Sequence, residues 1–441
     1  MMPLVAGARL PLAFIAGGLL AFGAGALWLA LIGTGGLPPH VHPRVVALAH
    51  LWLPGFLLSV CIGASYQLMP VVLGIPLRVS DKLLWAHAAL HLGGVLSLVF
   101  GLANMRYVWA ALGGLALSSG ALLFFVVTLR AFRASRRRDA AAWSFPFAAG
   151  WLLATVLAGV LMAANRGHPV LRLPILEVLR AHAHLGLVGY FATLLQGVTF
   201  QLVPMFTMGE ARRPRFAKTA LFATQAGLAA LAPGLALGLH PLTFAASLVL
   251  LAGLACTAFS FLATLATRRR RKLEPGLLAF VIGMALLGSA AALGAVLLGI
   301  DIGPEKLFPA ATAYGLIIIV GGLSLTVLGM LAKILPFLVW MKAYGPRVGR
   351  EPVPVATTLS SKSLEHAWLA AHLAGLLGLA LGAATSTAWP TCAGGTLLLL
   401  AAFLALGNAA RVLLHLRRTP APPSPRRAAS SQIPSSPLSV P

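Results

Sequence analysis

Along this chain apolar residues come in long blocks, separated by short breaks rich in Arg, Pro and Gly. A helix needs about 20 apolar residues to cross about 30 Å of hydrocarbon, and the blocks are at least that long. Only helices and closed barrels satisfy their own backbones in lipid, and the blocks lack the alternation of barrel strands. The pattern predicts twelve transmembrane helices over 10–35, 44–74, 82–104, 107–132, 143–165, 174–208, 216–238, 242–267, 276–299, 307–341, 363–386 and 389–416. The fold class is all-α, a polytopic transmembrane bundle. A tail over 419–441, made of Pro, Ser and Arg with little to bury, is expected to be disordered.

Composition agrees with lipid as the solvent: of 441 residues 59% are hydrophobic and 10% charged, with a mean hydropathy of +0.91. The formal net charge of +24 raises nucleic-acid binding, but the basic residues cap the apolar blocks, as at Arg136–Arg138, and no soluble basic domain carries them. Nucleic acid is therefore set aside, and the lipid bilayer is the expected partner. Cys61, Cys256 and Cys392 each stand alone in an apolar block, which leaves neither a disulfide framework nor a CxxC knuckle. Arg9 and the small residues at 23–26 resemble a secretory leader. They are read instead as a retained first span, because twelve spans preserve the charge pattern and the repeat.

Most of the 33 Lys and Arg fall on one side of the predicted membrane. Arg44, Arg106, Arg166, Arg172, Arg180 and Lys306 fall on the other, and Lys333 lies within a span. The positive-inside rule then places both termini in the cytoplasm. The even spans also repeat: GASYQLMP from 63, GVTFQLVP from 197 and GMLAKILP from 329 align at offsets of 134 and 132. The same register aligns Gly55, Gly189 and Gly321, and His50, His184 and Leu316. In the following spans it aligns His91, Gln225 and His372. Three four-helix units are expected, 1–140, 141–272 and 273–418, related by a pseudo-threefold axis along the membrane normal.

The twelve His are the main chemical signal, since ligating side chains in lipid are costly unless they serve a cavity or cofactor. Intramembrane carboxylates are nearly absent, with Glu177, Asp301 and Glu365 at span ends. His50 and His184 hold repeat-equivalent positions that face a common interior, where a bis-His pair binds a low-spin haem. The competing reading is two buried imidazoles bonded to backbone carbonyls. His182 points about 200° away from His184 on an ideal helix, so it serves a second site or is structural. His87 and His91 share a helix face, and with His372, the repeat mate of His91, they form either a copper or zinc site or polar links between helices. His366 is too far round its helix to join them. His40, His42, His168, His240 and His415 are read as solvated. Lys333 replaces Gln67 and Gln201 of the other units and is read as snorkelling to the cytoplasm, with a proton or anion path as the alternative.

The segment from Ala181, AHAHLGLVGYFATLLQGVTFQLVP, resembles the haem-ligand helix of haem-copper oxidase subunit I, the cbb-type above all. The resemblance implies that His182 binds a high-spin haem and His184 a low-spin haem, with His50 as the other low-spin ligand. It also implies twelve helices in three four-helix arcs, haem b, copper, a bacterial inner membrane, and a cytochrome c or quinol donor or a partner subunit. The departures are that the H-x-H pair lies on the sixth span rather than the tenth, and that the seventh span lacks a His pair for copper. The chain is thus similar in kind to the NnrS-like haem- and copper-binding relatives, with a role in electron transfer or in handling O2 or NO. Two rivals stand beside this reading: a copper-handling or small-solute transporter without haem, and a genuine terminal oxidase or nitric oxide reductase subunit.

Overall fold

The computed structural model describes residues 9–35, 37–167, 174–210, 214–269, 272–299 and 303–417. The expected tail, His168 and Asp301 lie outside the described residues. Twelve helices are long and apolar enough to cross a membrane: Arg9–Gly33, Pro43–Leu73, Asp81–Ala103, Tyr107–Ala134, Ala140–Asn165, Ile175–Thr207, Arg215–Ala236, His240–Ala266, Pro275–Leu297, Pro309–Ala343, Lys362–Thr385 and Ala388–Leu414. They match the twelve expected spans to within a few residues, and the described residues contain no strand. The chain is a multi-pass membrane protein. Short 3-10 turns at Gly345–Arg347 and Ala356–Thr358 fill the longer loop before the eleventh span.

The same helix pairings occur three times. Spans one and two, five and six, and nine and ten pack together. So do two and three, six and seven, and ten and eleven, and then three and four, seven and eight, and eleven and twelve. Contacts of four with five, eight with nine, and twelve with one close the ring. This recurrence is what three four-helix units would produce.

The second, sixth and tenth spans are the longest, at 31, 33 and 35 residues, and each is interrupted. A π-helical stretch occupies Leu51–Leu58, Leu185–Ala192 and Ile317–Leu323. The starts at 51, 185 and 317 are 134 and 132 residues apart, the offsets of the sequence repeat. π turns are rare because their hydrogen-bond geometry is poorer than that of an α-helix, and they concentrate at functional sites. Here each ends on a hydroxyl that reaches back five residues: Ser59 Oγ donates to Pro54 O (3.3 Å), Thr193 Oγ1 to Val188 O (3.2 Å) and Ser324 Oγ to Ile319 O (2.7 Å).

Below the π turns, toward the C-terminal ends, the three spans converge around a small apolar cavity of about 70 Å³. Its walls include Val60, Cys61, Phe191, Leu195, Val327 and Met330. Above the π turns the packing is looser: among the described residues no extensive interface joins Pro43–His50, Ile175–His184 and Pro304–Leu316, although the rings of His50 and His182 lie near one another. Residues 182–188 and 309–317 are only partly buried.

Close packing at the π turns depends on the repeated glycine. A Cβ on Gly189 would lie 2.6 Å from Trp151 Cβ and 3.0 Å from Leu228 Cδ2, which no rotamer change relieves on the Trp151 side. Gly189→Val should therefore destabilise the protein by about 1–3 kcal/mol, the usual cost of overpacking. Gly93→Ala, where a Cβ meets nothing within 4 Å, should leave it unchanged. Thermal unfolding of both variants in detergent checks this.

Candidate functional site

His50 and His184 each occupy the last α-helical position before a π turn, and Leu316 holds the same place in the tenth span. The two imidazoles are bonded alike. His50 Nδ1 is 2.7 Å from Val46 O and His184 Nδ1 is 2.8 Å from Arg180 O, each one turn back on its own helix. A carbonyl oxygen only accepts, so Nδ1 must carry the proton and the lone pair resides on Nε2. Fixing the tautomer in this way is how proteins prepare a histidine for a metal.

The ring beside His50 is that of His182. Their centroids are 6.4 Å apart and their planes are inclined by 21°. His182 also packs on Gly159 of the fifth span: a Cβ there would be 3.2 Å from the imidazole Cε1. Its buried Nδ1 makes no hydrogen bond of normal geometry, and the backbone of Thr155 lies near the ring. His184 has no ring contact among the described residues. The structure therefore brings His50 and His182 together, where the repeat led us to expect His50 and His184.

His50, whose Nε2 keeps its lone pair, and the neighbouring His182 are the two imidazoles brought close enough to hold one group between their spans, and a haem iron, if bound there, would be held by them.

The expected metal trio does not assemble. His91 Nε2 lies 3.2 Å from Pro54 O and 2.9 Å from Ser59 Oγ, and His372 Nε2 lies 2.7 Å from Val320 O. Bonds to carbonyls require protons on both Nε2 atoms, so these nitrogens have no lone pair to offer. His87 Nδ1 shares a 2.7 Å hydrogen bond with Tyr66 OH. Among the described residues no group of three or more His, Cys, Asp or Glu is placed to hold a metal ion. His372 stacks near Phe22, whereas His87 and His91 stand against Phe14, about 12 Å away along the first span at 1.5 Å per residue. Polar links between helices are what these three residues form. Of the remaining imidazoles, His42 caps the second span by accepting from Arg44 N, while His415, expected to be solvated, bonds to Tyr344 OH at 2.8 Å.

No family model matches this chain, and no curated protein does. Among solved structures, that of a haem-copper terminal oxidase dimer matches with a TM-score of 0.66 and 11% identity, over 92% of this chain and 82% of that one. This chain shares that fold. At such low identity the likeness speaks for the arrangement of helices and says nothing about individual side chains.

Lys333 is tied down by charge and does not snorkel freely. Its Nζ pairs with Glu274, just before the ninth span, and Lys362 Nζ bonds both Glu274 (3.2 Å) and the buried Glu365 (3.1 Å). The second unit places its acid similarly: Arg137, 2.7 Å from Asp139, also reaches Gln201 Oε1, the mate of Lys333. A sequence signal for the pairing existed in the acid that immediately precedes each of these spans. Tyr66, beside the repeated glutamine, gave no comparable sign that it would meet His87.

Burial works to raise the Glu274 pKa, but Lys333 and then Lys362 outweigh it, so the carboxyl titrates below its ordinary value of 4.5. A carboxyl whose pKa is depressed by folding adds stability that is complete above the unfolded value and lost as pH falls through the folded one. Between about pH 6 and about pH 3, the wild-type protein should therefore lose more stability than Glu274→Gln, whose curve should be flatter from a lower start. Melting temperatures across that range would show parallel curves if the pairing were unimportant.

Proposed function

We propose that this protein binds haem b between its second and sixth spans and serves electron transfer or the handling of a diatomic gas, O2 or NO, in respiratory or nitrosative metabolism of a bacterial inner membrane. The observation that carries the reading is the His50–His182 pair, nearly parallel at 6.4 Å, with the His50 tautomer fixed by Val46 O. His50 and His182 would hold the haem, which would supply a one-electron couple when bound. The polypeptide's part is to hold both rings and shut lipid out with the flanking spans. The shared fold and the H-x-H segment support a relationship to haem-copper oxidase subunit I, and the donor in this reading is a cytochrome c, a quinol or a partner subunit.

A second assignment of ligands has its own support. His184 shares with His50 the junction position, the bond from Nδ1 to a carbonyl one turn back, and therefore the free Nε2. It is available to a haem paired as the repeat suggested, or to a second group on the other side of the sixth span. Copper remains the alternative metal, held by the same imidazoles and not by His87, His91 and His372.

Purified protein made with ample haem should give a b-type band in a reduced-minus-oxidised spectrum. His50→Ala and His182→Ala should each abolish the low-spin band, and His184→Ala should retain it. Loss in His50→Ala and His184→Ala with retention in His182→Ala would transfer the assignment to the repeat-related pair. Absence of any haem band in the wild-type protein would remove the proposal.

A further inference from the structure

The π turns lie immediately inside the junction residues, and each is held by a donor from the following span. In the first unit His91 Nε2 donates to Pro54 O and to Ser59 Oγ, and Ser59 Oγ passes its own proton toward Pro54 O. In the second unit Gln225 Nε2 donates to Thr193 Oγ1 (3.1 Å), whose proton goes to Val188 O, while Trp151 Nε1 fixes the amide through Gln225 Oε1 (2.7 Å). In the third unit His372 Nε2 donates to Val320 O. Imidazole and carboxamide thus do one job at repeat-equivalent positions, and what they share is a side-chain N–H delivered to a π turn.

A π turn takes up extra chain relative to an α turn. If one of these turns relaxed to α geometry by a single residue, everything on its N-terminal side would rotate by about 100° relative to the rest. In the second and sixth spans that side carries His50 and the His182–His184 pair. Lipid offers no water to compensate the opened ladder, so a supplied donor stabilises the π register against the α one.

We propose that His91 and Gln225 are positioning residues, which lock the π turns of the second and sixth spans and so fix the direction in which His50, His182 and His184 point relative to the rest of those spans. The proposal rests on the haem reading for its consequence, but not for the lock itself. His372 locks a turn whose junction residue is Leu316, which makes the third unit an internal control.

The test uses the full-length protein in detergent, with hydrogen exchange by mass spectrometry and the haem spectrum as separate readouts. His91→Leu should speed exchange of amides 55–60 by about ten-fold, the scale of one lost buried hydrogen bond, and should diminish the low-spin band. Gln225→Leu should do the same around 188–194. His91→Gln, which borrows the second unit's solution, should restore both readouts. His372→Leu should speed exchange over 317–324 and leave the spectrum alone, which separates aiming from general loosening.

Unchanged exchange in His91→Leu would overturn the inference, and so would a His91→Gln protein as defective as His91→Leu. A low-spin band lost equally in His372→Leu would also count against it. If the wild-type protein shows no haem band, the haem reading fails, and exchange in the haem-free protein decides the lock by itself. Should His91→Leu not accumulate, His91→Phe keeps the ring volume and removes the donor; faster exchange over 55–60 supports the lock, and wild-type exchange refutes it.

Discussion

A helix in hydrocarbon has no solvent to repair its hydrogen-bond ladder, so any departure from α geometry must be compensated by groups that the protein brings to it. This chain makes that departure three times, at corresponding places in its three longest helices, and brings a hydroxyl and a side-chain N–H to each. The arrangement is costly in polar groups placed in lipid, where each net hydrogen bond contributes only about 0.6–2 kcal/mol. Such an investment suits a geometric purpose better than a gain in stability. The purpose is visible in what surrounds the turns: on one side the central helices close upon a small apolar cavity, and on the other they pack more loosely.

The imidazoles divide by which nitrogen is occupied. His50 and His184 use Nδ1 on their own helices and keep Nε2, the atom farther from the backbone, for something else. His91 and His372 spend Nε2 on a neighbouring helix. Burial runs parallel to this division, His91 and His372 being buried and His50 and His184 only partly so. The acceptor gives the chemical reason, because a backbone carbonyl decides where the proton sits. The histidines of an apolar bundle are thereby sorted into candidate ligands and structural donors without reference to any bound group.

The spans were legible in the sequence because lipid imposes a length and a composition that few other constraints mimic, and the repeat was legible because Gly, Gln and Pro recur within it. The partnership of His50 with His182 was not. Ideal helices of 100° per residue meeting symmetrically would pair His50 with His184, whereas the π turns alter the register immediately beside these residues. The metal trio failed for a related reason. Repeat mates converge only when they lie near the centre of the ring, as the even spans do. His91 and His372 both pack against the first span, but at Phe14 and Phe22, about 12 Å apart along it, and each spends its Nε2 on a carbonyl of the adjacent long span.

The three units share a backbone plan and differ in what they place upon it. Units one and two carry imidazoles at the α–π junction. The third carries Leu316 there, and concentrates its charge at the opposite end, where Lys333, Glu274, Lys362 and Glu365 bind the ninth, tenth and eleventh spans together. An ion cluster of this kind holds the C-terminal half of the tenth span firmly against its neighbours, while the N-terminal half remains half-exposed. The third long span thus departs from the other two at both ends, with leucine in place of an imidazole at the junction and a paired cation in place of the glutamine farther along, so a shared backbone plan is made asymmetric by two side-chain positions.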